Sequence, residues 1–327
     1  MGSDHNERIF VTGAGGFVGY ALLQRLAREP STLVRAGYRE TSNKTEGNIE
    51  CISLGDLTAV SDWRVALNGV ATIIHAAGRA HVMSEEVVSP LQEFRKVNVE
   101  MTLSLARQAA ELGVRRFVFL SSIGVNGAES LDTAFDEGMS PRPHADYAVS
   151  KMEAEVGLRE IAEKTSMDVV IIRPPLVYAA DAPGNFSRLL RIIKMGVPLP
   201  FARVKNRRGY ISIDNLVDFI IHCISHPRAG NETFVVADKD DISTADLIRI
   251  LAGGMGKKIW LIPVPVPLLK TAANLLGRGG LCRQLCGNLQ INITKANEML
   301  GWTPPVSIRD GLHMAAKRYL VHTRGES

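Results

Sequence analysis

The chain has 327 residues, 46% of them hydrophobic, and 38 Lys and Arg against 34 Asp and Glu leave a net charge of +4. That length can bury one large core or two, the composition is that of an ordinary globular protein, and the charges are scattered without a long basic block, which disfavours nucleic acid as a partner. Cys51, Cys223, Cys282 and Cys286, with no basic, apolar and small-residue leader before the first strand, predict a reduced, cytoplasmic location. Cys282 and Cys286 lack a second Cys or His pair at ligand spacing, so no metal site is expected and all four cysteines read as packing thiols.

Short runs rich in Val, Ile and Phe recur at residues 8–12, 33–38, 51–54, 72–76, 116–121 and 168–173. They are nearly all apolar rather than alternating, as strands covered on both faces must be. Helical patterns lie between them at residues 17–28, 91–112 and 147–164. The result is an α/β fold, a doubly wound parallel sheet of Rossmann type. After Arg173 the pattern loosens through Pro174-Pro175 into a helix at 185–195, and then returns as a strand at 209–213, a helix at 214–225 and a strand at 233–236. The remainder reads as short helices separated by Pro and Gly. This predicts a dinucleotide domain from 1–175 rejoined by about 209–237, and a smaller, mixed C-terminal substrate domain built from about 176–208 and 238–327.

The most apolar window, 259–276, is interrupted by Pro263, Pro265, Pro267 and Lys270, which argues against a membrane-spanning helix. A surface-bound apolar face after Pro267 is the alternative reading of that window. Residues 1–6 carry no structural signal.

Gly13, Gly16 and Gly19 follow the first strand and open a helix with Phe17 and Val18. Glycine suits a tight turn whose backbone N–H groups approach a pyrophosphate, and the helix N-terminus adds partial positive charge. At the end of the second strand, where an acidic residue would bind the ribose hydroxyls for NAD, stands Arg39, whose donors fit a 2′-phosphate. NADP(H) is therefore favoured over NAD(H), with Arg39 as a solvated strand-end charge as the other reading. Asp56 and Leu57 suit an adenine contact, and Asp56 equally suits a helix cap. His75 reads as a packed or backbone-bonded histidine, and the small residues Ala76, Ala77 and Gly78 let the chain pass close under a cofactor.

Tyr147 and Lys151 stand four apart and share a helix face. A free phenol titrates near 10, and an ammonium beside it would lower that value while also reaching a nicotinamide ribose. Ser121 and Ser122 end the fifth strand, and Ser122 is the better hydroxyl for a substrate oxygen. The glycine loop, Arg39, Asp56, Ala76 to Gly78, Ser122 and Pro174 each follow a predicted strand, the edge where open α/β sheets bind ligands.

These motifs, with Asn98-Val99, Arg173-Pro174, Arg208 to Asn215 and Leu300-Gly301-Trp302, make the chain resemble the extended short-chain dehydrogenase/reductases, in particular the nucleotide-sugar branch called the NAD-dependent epimerase/dehydratase group. The resemblance spans nearly the whole chain. It implies Ser122, Tyr147 and Lys151 as the catalytic set, with Tyr147 as general acid/base. Cofactor contacts would extend to Ser121, Pro174 and Val177, and Asn185, Arg208 and Arg283 would bind a nucleotide diphosphate. Lys205, Arg207 and Arg208 read alternatively as a solvated loop. A homodimer through the helices at 91–112 and 147–164 is expected from the same resemblance.

Two loops depart from the family's pattern. Asn126 stands where many relatives have Tyr, and Ala179-Ala180 where many have Gly-Pro. Arg39 favours a net reduction, and the Ser-Ser-Ile-Gly-Val-Asn-Gly stretch resembles that of reductases that finish UDP-N-acetyl-6-deoxyhexosamines, which implies reduction of a UDP-4-keto-6-deoxy-N-acetylhexosamine, with a UDP-sugar 4-epimerase holding NAD as the alternative. A non-catalytic NADP-sensing regulator is the reading from another class, opposed by the intact Ser122, Tyr147 and Lys151; a steroid or flavonoid-like ketone is a further enzymatic substrate.

Overall fold

The structure, a computed structural model, describes residues 8–40, 44–80 and 89–323, so the signal-free 1–6 segment lies outside it. Its strands are β1 (Arg8–Thr12), β2 (Val34–Tyr38), β3 (Lys44–Glu46), β4 (Ile49–Ser53), β5 (Val70–His75), β6 (Arg116–Leu120), β7 (Asp168–Arg173), β8 (Val177–Tyr178), β9 (Ile211–Ser212) and β10 (Thr233–Val235). Eight of them form one sheet in the order β10-β7-β6-β5-β1-β2-β4-β3. The pairs β4-β2, β2-β1, β1-β5, β5-β6 and β6-β7 are parallel, and β3 pairs antiparallel with β4 at the edge. Phe117, Val118 and Phe119 are consecutive and all buried, so both faces of the sheet are covered.

The helices are α1 (Phe17–Leu26), α2 (Arg64–Leu67), α3 (Pro90–Arg95), α4 (Thr102–Glu111), α5 (Asp146–Lys164), α6 (Asn185–Met195), α7 (Ile213–Ser225), α8 (Thr244–Gly254), α9 (Val266–Leu275), α10 (Gly279–Cys286), α11 (Thr294–Leu300) and α12 (Ile308–His322). α4 buries Leu105, Ala106 and Ala109, and α5 buries Ala154, Leu158 and Ile161, each at helical spacing. These side chains join Phe117, Phe119, Val169 and Ile171 in one core. The single helix expected at 91–112 is instead α3, π-helical turns at Lys96–Met101, and α4. The π turns put one extra residue into each turn, which hydrophobic periodicity does not register.

Two compact units emerge. The first comprises 1–126, 140–173 and 217–234, and the second 127–139, 174–216 and 235–327. The sequence reading kept residues 127–139 and 209–216 with the dinucleotide domain; both segments belong to the second unit. Ser130 and Phe135 donate backbone N–H groups to the Asn288 and Gln290 carbonyls, and β9 pairs with β8. Neither pairing leaves a hydrophobic signal in a two-residue strand. Among the described residues no helix is long and apolar enough to cross a membrane.

Candidate active site

In the first unit the glycine loop follows β1 directly. Gly13 has φ +69°, and a Cβ there would lie 2.7 Å from Ala77 N, so glycine is required both for the turn and for the close pass of the β5 loop. A Cβ on Gly19 would sit 2.7 Å from the Gly13 carbonyl carbon, which closes α1 onto the loop. Among the described residues, no side chain caps Gly16 and α1 has no acid in its first turn. The N–H groups at its start are thus left for an anion, and the loop fits a pyrophosphate.

Arg39 and Asp56 are both exposed and lie on neighbouring turns, with Gly55 N donating to the Arg39 carbonyl at 2.9 Å. Asp56 Oδ1 accepts from Thr58 N at 2.9 Å, and this bond holds its carboxyl below the usual range. It caps the 3₁₀ turn beginning at Leu57, the second of its two sequence readings. His75 is buried between side chains and not backbone-bonded through its ring: Nδ1 lies 2.8 Å from Thr12 Oγ1 and Nε2 3.0 Å from Thr102 Oγ1. Burial, reinforced by the Lys151 charge, pushes it down to about 3, so it is a neutral strut and no base.

The α5 turn carries Tyr147 and Lys151. Lys151 is buried, donates to the Leu120 carbonyl at 2.9 Å, and sits 4.5 Å from the Phe119 ring centroid and 6.0 Å from that of Tyr147. A Cβ on Gly78 would approach Lys151 Nζ to 3.2 Å, so the small residues after β5 are what let the lysine reach this edge. Desolvation lowers Lys151 to about 8, opposed by Glu155. Tyr147 is raised to about 12 by burial. The sequence reading expected the ammonium to lower the phenol; burial wins here, because Nζ points at the Leu120 carbonyl rather than at the hydroxyl.

Ser122 is half-buried, and its Oγ accepts from Gly124 N at 3.1 Å. A Cβ on Gly124 would meet both Ala148 Cβ and Ser122 Oγ at 3.3 Å, so glycine lets the Ser122 turn rest on α5 one residue from Tyr147. Ser121 is occupied otherwise: its hydroxyl donates to Glu155 Oε1 at 2.6 Å.

Sequence reasoning singled out Asn98, Arg173 and Asn126 but missed Ser150 and Glu155, and with them the role of all five in holding this turn in place. Asn98, in the π turns, accepts from Arg79 N at 2.9 Å and donates to Ser150 Oγ at 3.0 Å, and Ser150 donates to the Tyr147 carbonyl. Arg173 grips Glu155 through Nε at 2.8 Å and Nη2 at 2.5 Å, and gives Nη1 to Asn126 Oδ1 at 3.0 Å. Asn126, where many relatives have Tyr, is thus a buried partner of this pair. A lone Asn inside an apolar helical run, and a Glu one turn beyond Lys151, were the available signals.

In the second unit, Pro174 is buried and Val177 begins β8. Asn185 starts α6 and donates to Gln284 Oε1 at 3.0 Å, while Arg208 Nη1 donates to the Gly287 carbonyl at 2.9 Å. α10, ending at Cys286, therefore brings Asn185, Arg208 and the exposed Arg283 to one region, and Arg207 is drawn aside to Asp241 at 3.6 Å. Cys282 and Cys286 face each other with sulfurs 3.8 Å apart.

A parallel doubly wound sheet with a glycine loop after its first strand and a Tyr-Lys turn beside a serine defines a dinucleotide-binding α/β protein. More specifically, residues 9–237 match the model of the NAD-dependent epimerase/dehydratase family, and the chain belongs to that family. It is 40% identical, over 96% of both chains, to a Vibrio cholerae protein named UDP-glucose 4-epimerase. It is 26% identical to an Escherichia coli O157:H7 protein named N-acetyl-alpha-D-glucosaminyl-diphospho-ditrans,octacis-undecaprenol 4-epimerase, over 98% of this chain and 97% of that one. A solved UDP-glucuronic acid 4-epimerase from Bacillus cereus, in complex with NAD, superposes with a TM-score of 0.77 at 20% identity, covering 97% of this chain and 99% of that one.

Proposed function

We propose that the protein inverts C4 of a UDP-sugar, using a nicotinamide dinucleotide held on the glycine loop. The observation that carries this reading is the 40% identity across 96% of both chains to the V. cholerae protein named as a UDP-glucose 4-epimerase. A dinucleotide held there would supply the hydride chemistry that an inversion at C4 needs, taking a hydride from C4 and giving it back to the other face. Tyr147 removes the proton of the C4 hydroxyl and gives it back, and Ser122 donates a hydrogen bond to the same oxygen. Lys151 supplies the positive charge that supports the Tyr147 phenolate. Gly13, Gly16 and the α1 N-terminus take the pyrophosphate, Ala76 to Gly78 give the lysine its passage, and Asn185, Arg208 and Arg283 hold the sugar's diphosphate. A homodimer built on α3 to α5 belongs to the same reading, and light scattering of the purified protein tests it.

Net reduction, the reading that the sequence put first, gives way to the epimerase, because the V. cholerae relative at 40% identity and the E. coli relative spanning 98% of the chain are both named as 4-epimerases. Arg39 keeps reduction as a second reading: it is exposed at the end of β2, where a 2′-phosphate of NADPH would meet it. One preparation separates the two. Denatured enzyme should release NAD, and native enzyme without added cofactor should convert UDP-glucose or UDP-N-acetylglucosamine to its C4 epimer by NMR. Steady NADPH consumption on a UDP-4-keto-6-deoxy-N-acetylhexosamine, without epimer, would overturn the epimerase.

A further inference from the structure

The stretch from α8 to α11 in the second unit, Arg283 apart, takes no part in that chemistry, and its composition departs from the rest of the chain. From Leu247 to Asn297 there is no Asp or Glu, while Arg249, Lys257, Lys258, Lys270, Arg278, Arg283 and Lys295 are all cationic. With 34 acidic residues in 327, about five would be expected over that length. An ordinary surface stretch mixes both signs.

Around α9 the apolar residues of this stretch are turned outward. α8 buries Leu247, Ile248 and Leu251, as a helix of a packed unit should. α9 buries none of its described residues: Leu268 is 61% exposed and Leu275 83%, with Leu276 just beyond at 74% and Trp260 ahead of the helix at 79%. Leu268 and Leu275 are seven apart and share one face, and exposed Ala272 lies between them. α9 packs against α10, so the outward face is the one that the fold leaves uncovered. Ten residues make it about 15 Å long, half of a bilayer's hydrocarbon thickness.

We propose that Trp260, α9 and Leu276 form an interfacial anchor that lies on an anionic lipid bilayer, with Lys258 and Arg278 at its rim. Leucines enter the boundary between headgroups and acyl chains, an indole sits at headgroup level, and the cations meet anionic headgroups. Charge selects this occupant over a second copy of the chain. Two copies joined through this face would oppose cations to cations with no acid in the stretch to offset them.

Flotation of the full-length protein with vesicles tests the anchor. Protein should float with phosphatidylcholine vesicles containing about a third phosphatidylglycerol, stay at the bottom with pure phosphatidylcholine, and detach as salt rises. Leu268→Ser/Leu275→Ser and Lys258→Glu/Arg278→Glu should each weaken anionic-vesicle binding about tenfold or more, with circular dichroism and the light-scattering mass unchanged. All four positions are exposed, so neither variant disturbs a core. No flotation, equal flotation on neutral vesicles, or undiminished binding by both variants would each overturn the anchor. So would a leucine variant that halves the mass, which would show that a second copy covers this face.

Discussion

At the scale of single residues, Lys151 and Tyr147 hold opposite perturbations from one cause. Burial disfavours either charged form, lowering the lysine to about 8 and raising the phenol to about 12. If the ammonium is what supports the phenolate, kcat/KM should fall as the pH rises through about 8, where Lys151 loses its proton. Lys151→Arg, which stays charged, should lose that limb while keeping measurable turnover, and a pH profile flat from 7 to 9 in the natural enzyme would sink the role. Tyr147→Phe should lower kcat by about three orders of magnitude or more yet leave nucleotide binding within a few fold, checked by turnover and by dinucleotide titration. His75 gives a separate stability signature. Its folded value of about 3 lies below its ordinary 6.5, so the folded state resists its protonation. Stability is in full above pH 6.5 and falls by about 1.4 kcal/mol per pH unit below it, toward pH 3. Urea melts at pH 7 and 5 should show this loss, and His75→Gln should remove it.

At the scale of elements, β1, β7 and α6 fall where their residue patterns put them, because strong apolar runs and a clear helical face leave little choice of period. The glycine loop was equally legible, since Gly13 and Gly19 answer local steric demands. What stayed hidden is tertiary. β3 is three exposed residues, KTE, paired only through the backbone of β4, and nothing in those letters says strand. The π turns that aim Asn98 at Ser150 depend on one inserted residue per turn, and the Glu155, Arg173 and Asn126 cluster joins three separate segments. Ser122, Tyr147 and Lys151 could be read from the motif, whereas their support could not, because a buried polar pair looks like surface charge until the sheet is assembled. The loop supplies a direct test of this steric reading. Gly19→Ala would drive a methyl into the Gly13 carbonyl, whose backbone has no freedom to yield. It should cost about 2–3 kcal/mol in a urea melt and abolish dinucleotide binding by titration calorimetry, while Gly253→Ala, in α8 with open space around it, should leave binding unchanged and raise stability by about 0.5–1 kcal/mol.

At the scale of the molecule, the second unit is assembled from three passes of the chain, and covalent continuity does little to hold them together. Buried polar groups do that work instead. Asp238 accepts from Tyr178 Oη at 2.7 Å, from Ser212 N at 3.1 Å and from Asn215 Nδ2 at 2.6 Å. Asn215 also donates to the Val306 carbonyl at 2.8 Å and accepts from Val306 N at 3.0 Å. One amide therefore joins the start of α7, the Asp238 turn and the segment leading into α12. Truncating it leaves a buried carboxylate and two backbone groups short of partners, each worth about 1–3 kcal/mol. Asn215→Ala should destabilise the protein by about 3 kcal/mol, read as an earlier urea transition by circular dichroism. Asn215→Asp retains the size but sets a second carboxylate against Asp238, so its midpoint should lie at least as low at pH 7 and recover toward the natural protein's as acid protonates the pair. A variant melting like the natural protein would mean that this amide does not hold the 174–216 and 235–327 passes together.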